Sequence, residues 1–305
     1  MTIKKSDVVD VEQNMKRLLN SPSYRLAMED PDFIEGNDGR ETRVLAEALK
    51  VERTLRRANV ASTIIVFGSA RIKSPEVAQA RLRDAQLQLR AAPENAALQQ
   101  EVARANNVVK WSKYYQLARE FGEVVARKND PFNEEHDQRG GVRVSKKREF
   151  VICTGGGPGI MEAANRGAFD AGEATVGLNI KLPFEQQPNP FVSENLCFNF
   201  RYFSIRKFHF LLRAKALVAF PGGFGTFDEL FEALTLRQTG KMQDLPIVLY
   251  GKEFWTKVVN FDYLVETGVI SASDLRLFNF AETAEEGWQI IKDYYDAKRE
   301  LGTEA

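Results

Sequence analysis

The sequence predicts an α/β protein: a Rossmann-like, doubly wound parallel sheet with extra helices at its N-terminus and inserted in its first half. Three observations carry that expectation. From residue 149 onward, short β-branched or apolar runs alternate with amphipathic stretches, the rhythm of strands buried between two helical layers. Three strand-like runs stop at small-residue turns that lead towards a helix, as the ligand-binding edge of an open parallel sheet requires. The 305 residues are 44% hydrophobic and 10% aromatic, enough apolar side chain for a sizeable core.

Residues 1–60 are charged and helical in pattern, with Val44, Leu45, Leu49, Val51 and Leu55 near helical spacing. They are expected to form an accessory extension. Ser62–Phe67, STIIVF, is a β-branched run that stops at Gly68, as a buried parallel strand does. Residues 75–127 turn helical again in two pieces, divided near Ala91-Ala92-Pro93, because proline begins a helix but does not continue one. The first piece, EVAQARLRDAQLQLRA, is polar enough for a solvated or partner-packed helix. Residues 128–148 are dense in charge and contain Asp130-Pro131 and Gly140-Gly141, so a long surface loop is expected.

Beyond that loop the order is regular. EFVIC is a strand, IMEAANRGAFDAG a helix, ATVGLNI a strand and the proline-bearing LPFEQQPNPFV a loop. Then follow the strand LCFNF, the helix RYFSIRKFHFLLRA, the strand ALVAF, the helix TFDELFEALTLRQTG closed by Gly240, and the strand PIVLY. EFWTKVVNFDYLVETG and TAEEGWQIIKDYYDAKREL read as two further amphipathic helices, with a short strand around LFNF between them. The expected organisation is a helical extension over 1–60 and a Rossmann-like domain over 61–305, interrupted by a helical and loop insertion at about 75–147.

Charge and rare residues exclude several function classes. With 42 Lys plus Arg against 42 Asp plus Glu the net charge is zero, and the electrostatic footprint of a general nucleic-acid binder is missing. Cys153 and Cys197 make no disulfide framework, and His136 and His209 complete no four-ligand zinc set, so no structural metal is expected. No run approaches the ~18 apolar residues of a membrane span, and no apolar stretch follows the first lysines. No membrane partner and a cytoplasmic location are expected.

The three turns are Phe67-Gly68-Ser69-Ala70-Arg71, Thr154-Gly155-Gly156-Gly157-Pro158-Gly159 and Pro221-Gly222-Gly223-Phe224-Gly225-Thr226. Glycine permits close backbone approach, and the amides opening the next helix favour an anion, so each turn is a candidate phosphate cradle. The spacing excludes the commonest ligands. A G-x-G-x-x-G fingerprint from Gly155 fails at Ile160 and from Gly223 at Asp228, and there is no G-x-x-x-x-G-K-[ST], G-x-S-x-G or H-E-x-x-H. A mononucleotide or sugar phosphate remains. Asp228 and Glu229 open the helix after the third turn with Glu232 one turn on, and Arg206 and Lys207 stand near the start of the preceding helix. A carboxylate there either complements the helix dipole or steadies an oxocarbenium-like sugar, while arginine holds phosphate; cations for phosphate plus an acid for the sugar suggest N-glycosidic cleavage.

The stretches TGGGPGIMEAANRGA, from Thr154, and RKFHFLLRAKALVAFPGGFGTFDELFEALTLRQTG, from Arg206, closely resemble the lonely-guy family of nucleotide phosphoribohydrolases, once widely labelled lysine decarboxylases. The resemblance covers roughly residues 60–300. It implies a nucleotide-binding catalytic domain that hydrolyses nucleoside 5′-monophosphates, of AMP type or cytokinin ribotides, to free base and ribose 5-phosphate, with no metal or organic cofactor. By the same resemblance Arg206 and Glu229 are the catalytic pair. Gly222, Gly223, Gly225 and Thr226 are the main phosphate cradle; Gly156, Gly157, Met161 and Glu162 form the other wall; Gly68 and Ser69 lie at the floor; and Lys207 and Asp228 support substrate binding. His209 departs from the methionine of many relatives and is either a packed residue or one that shapes base specificity. The family habit of siting active centres near a two-fold interface implies a homodimer or higher homo-oligomer.

A non-catalytic carrier of a nucleotide or molybdopterin-type cofactor is the alternative, since a fold does not fix a function. A decarboxylase has no support, because no lysine is set apart to link a cofactor. Cys153 beside the turn suits a buried apolar thiol better than a nucleophile. Trp111, Tyr114 and Tyr115 suit core or interface, with one of them free to stack on a base, and packing is the default for Phe198, Phe200, Tyr202 and Phe203.

Overall fold

A computed structural model describes residues 11–128, 147–183 and 187–301. Most of the charged loop expected over 128–148, the first ten residues and part of the proline-bearing loop lie outside the described residues. The chain divides into two compact units, residues 1–50 and 51–305.

The first unit holds α1 (Val11–Leu19), α2 (Pro31–Glu35) and most of α3 (Arg40–Arg57). Asp30 caps α2 through its carboxylate, which accepts from the amides of Asp32 and Phe33. Arg43 donates to the carbonyls of Ile34 and Gly36, tying α3 back to the end of α2. Of the five apolar residues near helical spacing in this extension, Leu45 and Leu49 are exposed, and only Val51 and Leu55, beyond the unit boundary, are buried.

Among the described residues the second unit is built on seven strands: β1 (Thr63–Phe67), β2 (Val151–Thr154), β3 (Thr175–Ile180), β4 (Cys197–Phe200), β5 (Ala214–Ala219), β6 (Ile247–Tyr250) and β7 (Asn279–Ala281). All pairings are parallel, in the order β4-β3-β2-β1-β5-β6-β7. Strand side chains alternate between two cores. Ile65, Phe67, Leu217, Leu249 and Leu178 face one layer; Ile64, Val66, Val218, Val248 and Ile152 face the other. Burial on both faces is why the strands appear as unbroken apolar runs.

Helices cover both faces. The insertion supplies α4 (Pro75–Ala91) and the 33-residue α5 (Ala96–Lys128), and α6 (Ile160–Asp170) packs beside α5. Then come α7 (Phe203–Leu212), α8 (Phe224–Gln238), α9 (Lys252–Val258), α10 (Phe261–Glu266) and α11 (Ala284–Glu300). The inserted helix α5 is part of the core rather than an appendage, because Tyr114, Tyr115, Ala118, Phe121 and Val125 are all buried against the sheet layer. One expectation fails: EFWTKVVNFDYLVETG is not one helix but α9 and α10. Asn260 caps a new helix by accepting the amide of Tyr263, which breaks the pattern at Val259-Asn260. The short strand around LFNF is β7, shifted to Asn279–Ala281. Among the described residues no helix is long and apolar enough to cross a membrane.

Chain order fixes where a ligand can lie. The chain leaves β1 in one direction through β2, β3 and β4, then returns to β5 on the other side of β1. Loops diverge at that switch point, leaving a crevice at the carboxyl ends of β1 and β5.

Candidate functional site

The three small-residue turns meet at this crevice. Phe67 pairs with Ala219 at the strand ends, the Phe220 amide donates to the Phe67 carbonyl, and the Ser69 amide donates to the Pro221 carbonyl at 3.1 Å. The Ile160 amide then donates to the Ser69 carbonyl at 3.1 Å, joining the turn after β2 to the turn after β1. These bonds frame a cavity of about 910 Å³, within the range of small-ligand sites.

Gly68, Ser69, Met161, Arg206, Gly222, Gly223, Gly225, Thr226, Asp228 and Glu229 all line the cavity. Four other expected residues do not. Gly156 and Gly157 lie behind the wall: Asn189 donates its side-chain amide to the Gly157 carbonyl and its backbone amide to the Gly156 carbonyl. Glu162 faces α5, where the Tyr115 hydroxyl donates to it at 2.7 Å. Lys207 is bound between Asp228 at 2.8 Å and Glu232 at 3.0 Å.

The turn after β2 is tightly filled. Gly156 has φ +68°, which a side chain rarely adopts, and an added Cβ would lie 2.3 Å from the Asn179 amide nitrogen. A buried chain of hydrogen bonds sets this geometry: the Gly156 amide donates to Thr154 Oγ1, which donates to Asn165 Oδ1, which also accepts from Asn189. The front of the same turn receives Arg206, whose Nη2 would lie 2.6 Å from a Cβ at Gly155. Arg206 is held there by Nε donating to the Leu178 carbonyl at 2.7 Å and by the Phe210 ring one helical turn on, 5.1 Å from the guanidinium.

The turn after β5 is closed at Gly222, where an added Cβ would lie 2.1 Å from Thr226 Oγ1, and open beyond it. At Gly223 and Gly225 nothing lies within 4 Å of an added Cβ. Gly223 is the N-cap of α8, whose first amides have no partner within the helix and point a positive dipole end at the crevice. That combination suits a phosphate group.

The charges beside this cradle are coupled. Burial pushes the Glu229 carboxyl up to about 7; the Lys207 and Arg206 charges pull it down, and Glu232 and Asp228 push it further up. Burial holds Arg206 below its ordinary value, opposed by the charge of Glu229. Burial alone would lower Lys207, but its hydrogen bonds to Asp228 and Glu232 raise it. The crevice thus holds an acid poised near neutrality beside a guanidinium.

Gly155, Arg71 and Phe224, members of the three expected turns, also line the cavity, as do Phe254 and Val258, for which the sequence carries no signal of a site. The sequence pattern makes packing the default for Phe203, yet it lines the cavity and is 53% exposed, and Phe224 there is 96% exposed. The turn after β6, which precedes Phe254, is marked by Gly251 alone. Cys153 is buried, and burial raises its thiol to about 12, so it is no nucleophile. His209 is buried against the rings of Phe200 and Phe208 and does not line the cavity. Among the described residues no three His, Cys, Asp or Glu side chains are grouped to hold a metal ion.

A family model described as "Possible lysine decarboxylase" matches residues 161–291. The chain is 28% identical over 148 residues to the cytokinin riboside 5′-monophosphate phosphoribohydrolase LOG2 of Arabidopsis thaliana, covering 47% of this chain and 68% of that protein. It is 35% identical over 115 residues to the pyrimidine/purine nucleotide 5′-monophosphate nucleosidase of Escherichia coli strain K12, covering 34% and 25%. Among solved structures, the molybdenum cofactor binding protein of Rippkaea orientalis aligns with 60% of this chain and 88% of that one at 19% identity and a TM-score of 0.41. That likeness is too distant to bear on function.

Proposed function

We propose that this chain, a relative of the lonely-guy family by family model and curated sequences alike, is a hydrolase that cleaves the N-glycosidic bond of nucleoside 5′-monophosphates. AMP-type nucleotides, cytokinin ribotides included, are the proposed substrates. The observation that carries the reading is the pairing of a glycine cradle, open at Gly223 and Gly225, at the start of α8 with a half-buried acid about one turn into the same helix. Phosphate at the cradle sets the sugar beside Glu229. As the base departs with the bonding electron pair, positive charge grows at the anomeric carbon, and an ionised Glu229 steadies it and orients the attacking water. Arg206, locked by Leu178 and Phe210, positions the nucleotide. The base takes up a proton, and ribose 5-phosphate is the second product.

Glu229→Gln tests this directly. Base released from AMP is expected to fall at least about 100-fold in kcat, and wild-type kcat/KM to rise with pH through about 7 as Glu229 ionises. Stability moves the opposite way. A carboxyl whose pKa is raised on folding contributes stability below its unfolded value, lost as pH rises through its folded value. The variant is therefore expected to gain on the order of 1–3 kcal/mol over wild type at pH 8 but not at pH 4. Equal base release by variant and wild type rejects the role of Glu229; tight AMP binding without any base release makes the protein a carrier.

Phe203 and Phe224 leave apolar surface exposed at the cavity, and Phe208, Leu212 and Phe231 are exposed elsewhere on the same two helices, α7 and α8, which supports association of two copies through these helices. Light scattering is expected to give at least a dimer, and Phe208→Glu to give the monomer.

A further inference from the structure

A second cavity of about 370 Å³ adjoins the first and shares Ser69, Arg71, Gly222, Gly223 and Phe254 with it. Arg206 and Glu229 line only the first cavity; Asn107 and Trp111, from the inserted helix α5, line only the second. The glycine turn thus stands at the junction, with the acid on one side and an aromatic bay on the other. A phosphate seated there directs its sugar and base towards Glu229, and any group joined to its far side towards the bay.

The bay has the chemistry of a base-binding pocket. Trp111 is half-buried and meets Phe254 edge to face at 5.8 Å, which fixes its ring as a platform for a planar partner. Asn107 is exposed at the rim and supplies a side-chain amide that both donates and accepts. Arg71, exposed at the junction, offers a permanent cation for a second phosphate.

We infer that the site accepts dinucleotides joined through a 5′,5′-pyrophosphate, with the first base beside Glu229 and the second stacked on Trp111. The inference rests on the reading in which the glycine turn holds the phosphate. The reaction is the same hydrolysis: water adds to the anomeric carbon of the first ribose, its bond to the base breaks, and the base leaves with the electron pair and gains a proton. The second nucleotide stays attached through the pyrophosphate, and nothing is oxidised or reduced.

The test compares AMP with P1,P2-diadenosine diphosphate by calorimetry, tryptophan fluorescence and adenine release. The dinucleotide is expected to bind wild type about tenfold more tightly than AMP, the size of one base–aromatic stack. It is also expected to quench tryptophan emission where AMP does not, since the other two tryptophans, Trp255 and Trp288, are buried. Trp111→Ala is expected to abolish the tenfold difference while leaving AMP binding and cleavage within twofold of wild type. Normal AMP cleavage with no gain for the dinucleotide, or a gain without quenching, overturns the inference alone. If AMP neither binds nor loses its base, the reading beneath it falls as well.

Discussion

At Gly156 one added methyl group would lie 2.3 Å from the Asn179 amide, whereas at Gly223 and Gly225 it would meet nothing within 4 Å. The two turns carry similar runs of glycine at equivalent strand ends, yet their glycines serve different neighbours. In the turn after β2 the space belongs to the protein: Asn189, Asn165 and Thr154 fill the back, and Arg206 fills the front. In the turn after β5 Thr226 fills the space at Gly222, and only the space at Gly223 and Gly225 is left to a ligand. Glycine content alone marks where backbone must come close to something; only the third dimension says to what.

The largest effect expected from this contrast is on folding. Gly156→Ala forces a side chain to φ +68° and against Asn179, so a loss of about 2–4 kcal/mol is expected in urea unfolding. An unchanged midpoint would erase the distinction between the turns. Gly225→Ala is expected to do the reverse. Helix propensity favours alanine there and stability should hold or rise by a few tenths of a kcal/mol, but the methyl enters the cradle. KM for AMP should rise about tenfold, or about 1.4 kcal/mol, with kcat kept. A destabilised Gly225→Ala protein would mean that this turn, too, is packed.

A smaller effect sharpens the same comparison through charge. The acid of α6 is engaged by Tyr115, whereas the acids of α8 share Lys207. Lys207 lies outside the cavity, yet its charge is the foremost influence holding Glu229 down against burial. Lys207→Met should therefore move the acid limb of kcat/KM to higher pH by on the order of one unit, with little change in the alkaline plateau. No shift would sever Lys207 from the acid.

What was legible in the sequence was local. Strands buried on both faces leave unbroken apolar runs, so β1 to β6 stand out, and a cradle followed by an acid within one helical turn stands out as a motif. What escaped was decided at a distance. Glu162 is engaged by Tyr115, 47 residues earlier, and Gly157 by Asn189, 32 residues later; no spacing rule joins such pairs. Phe254 escaped because β6 ends in a single glycine, and the break between α9 and α10 because one Asn cap interrupts an apolar pattern that otherwise continues.

Ser69 donates its amide to the loop after β5 and lends its carbonyl to the loop after β2, so a single peptide segment works as a clasp for both. The clasp consists of main-chain atoms and places no demand on side chains at the rim. Phe203, Phe224 and Val258 can therefore be exchanged to refit the entrance for other guests while the clasp keeps its shape.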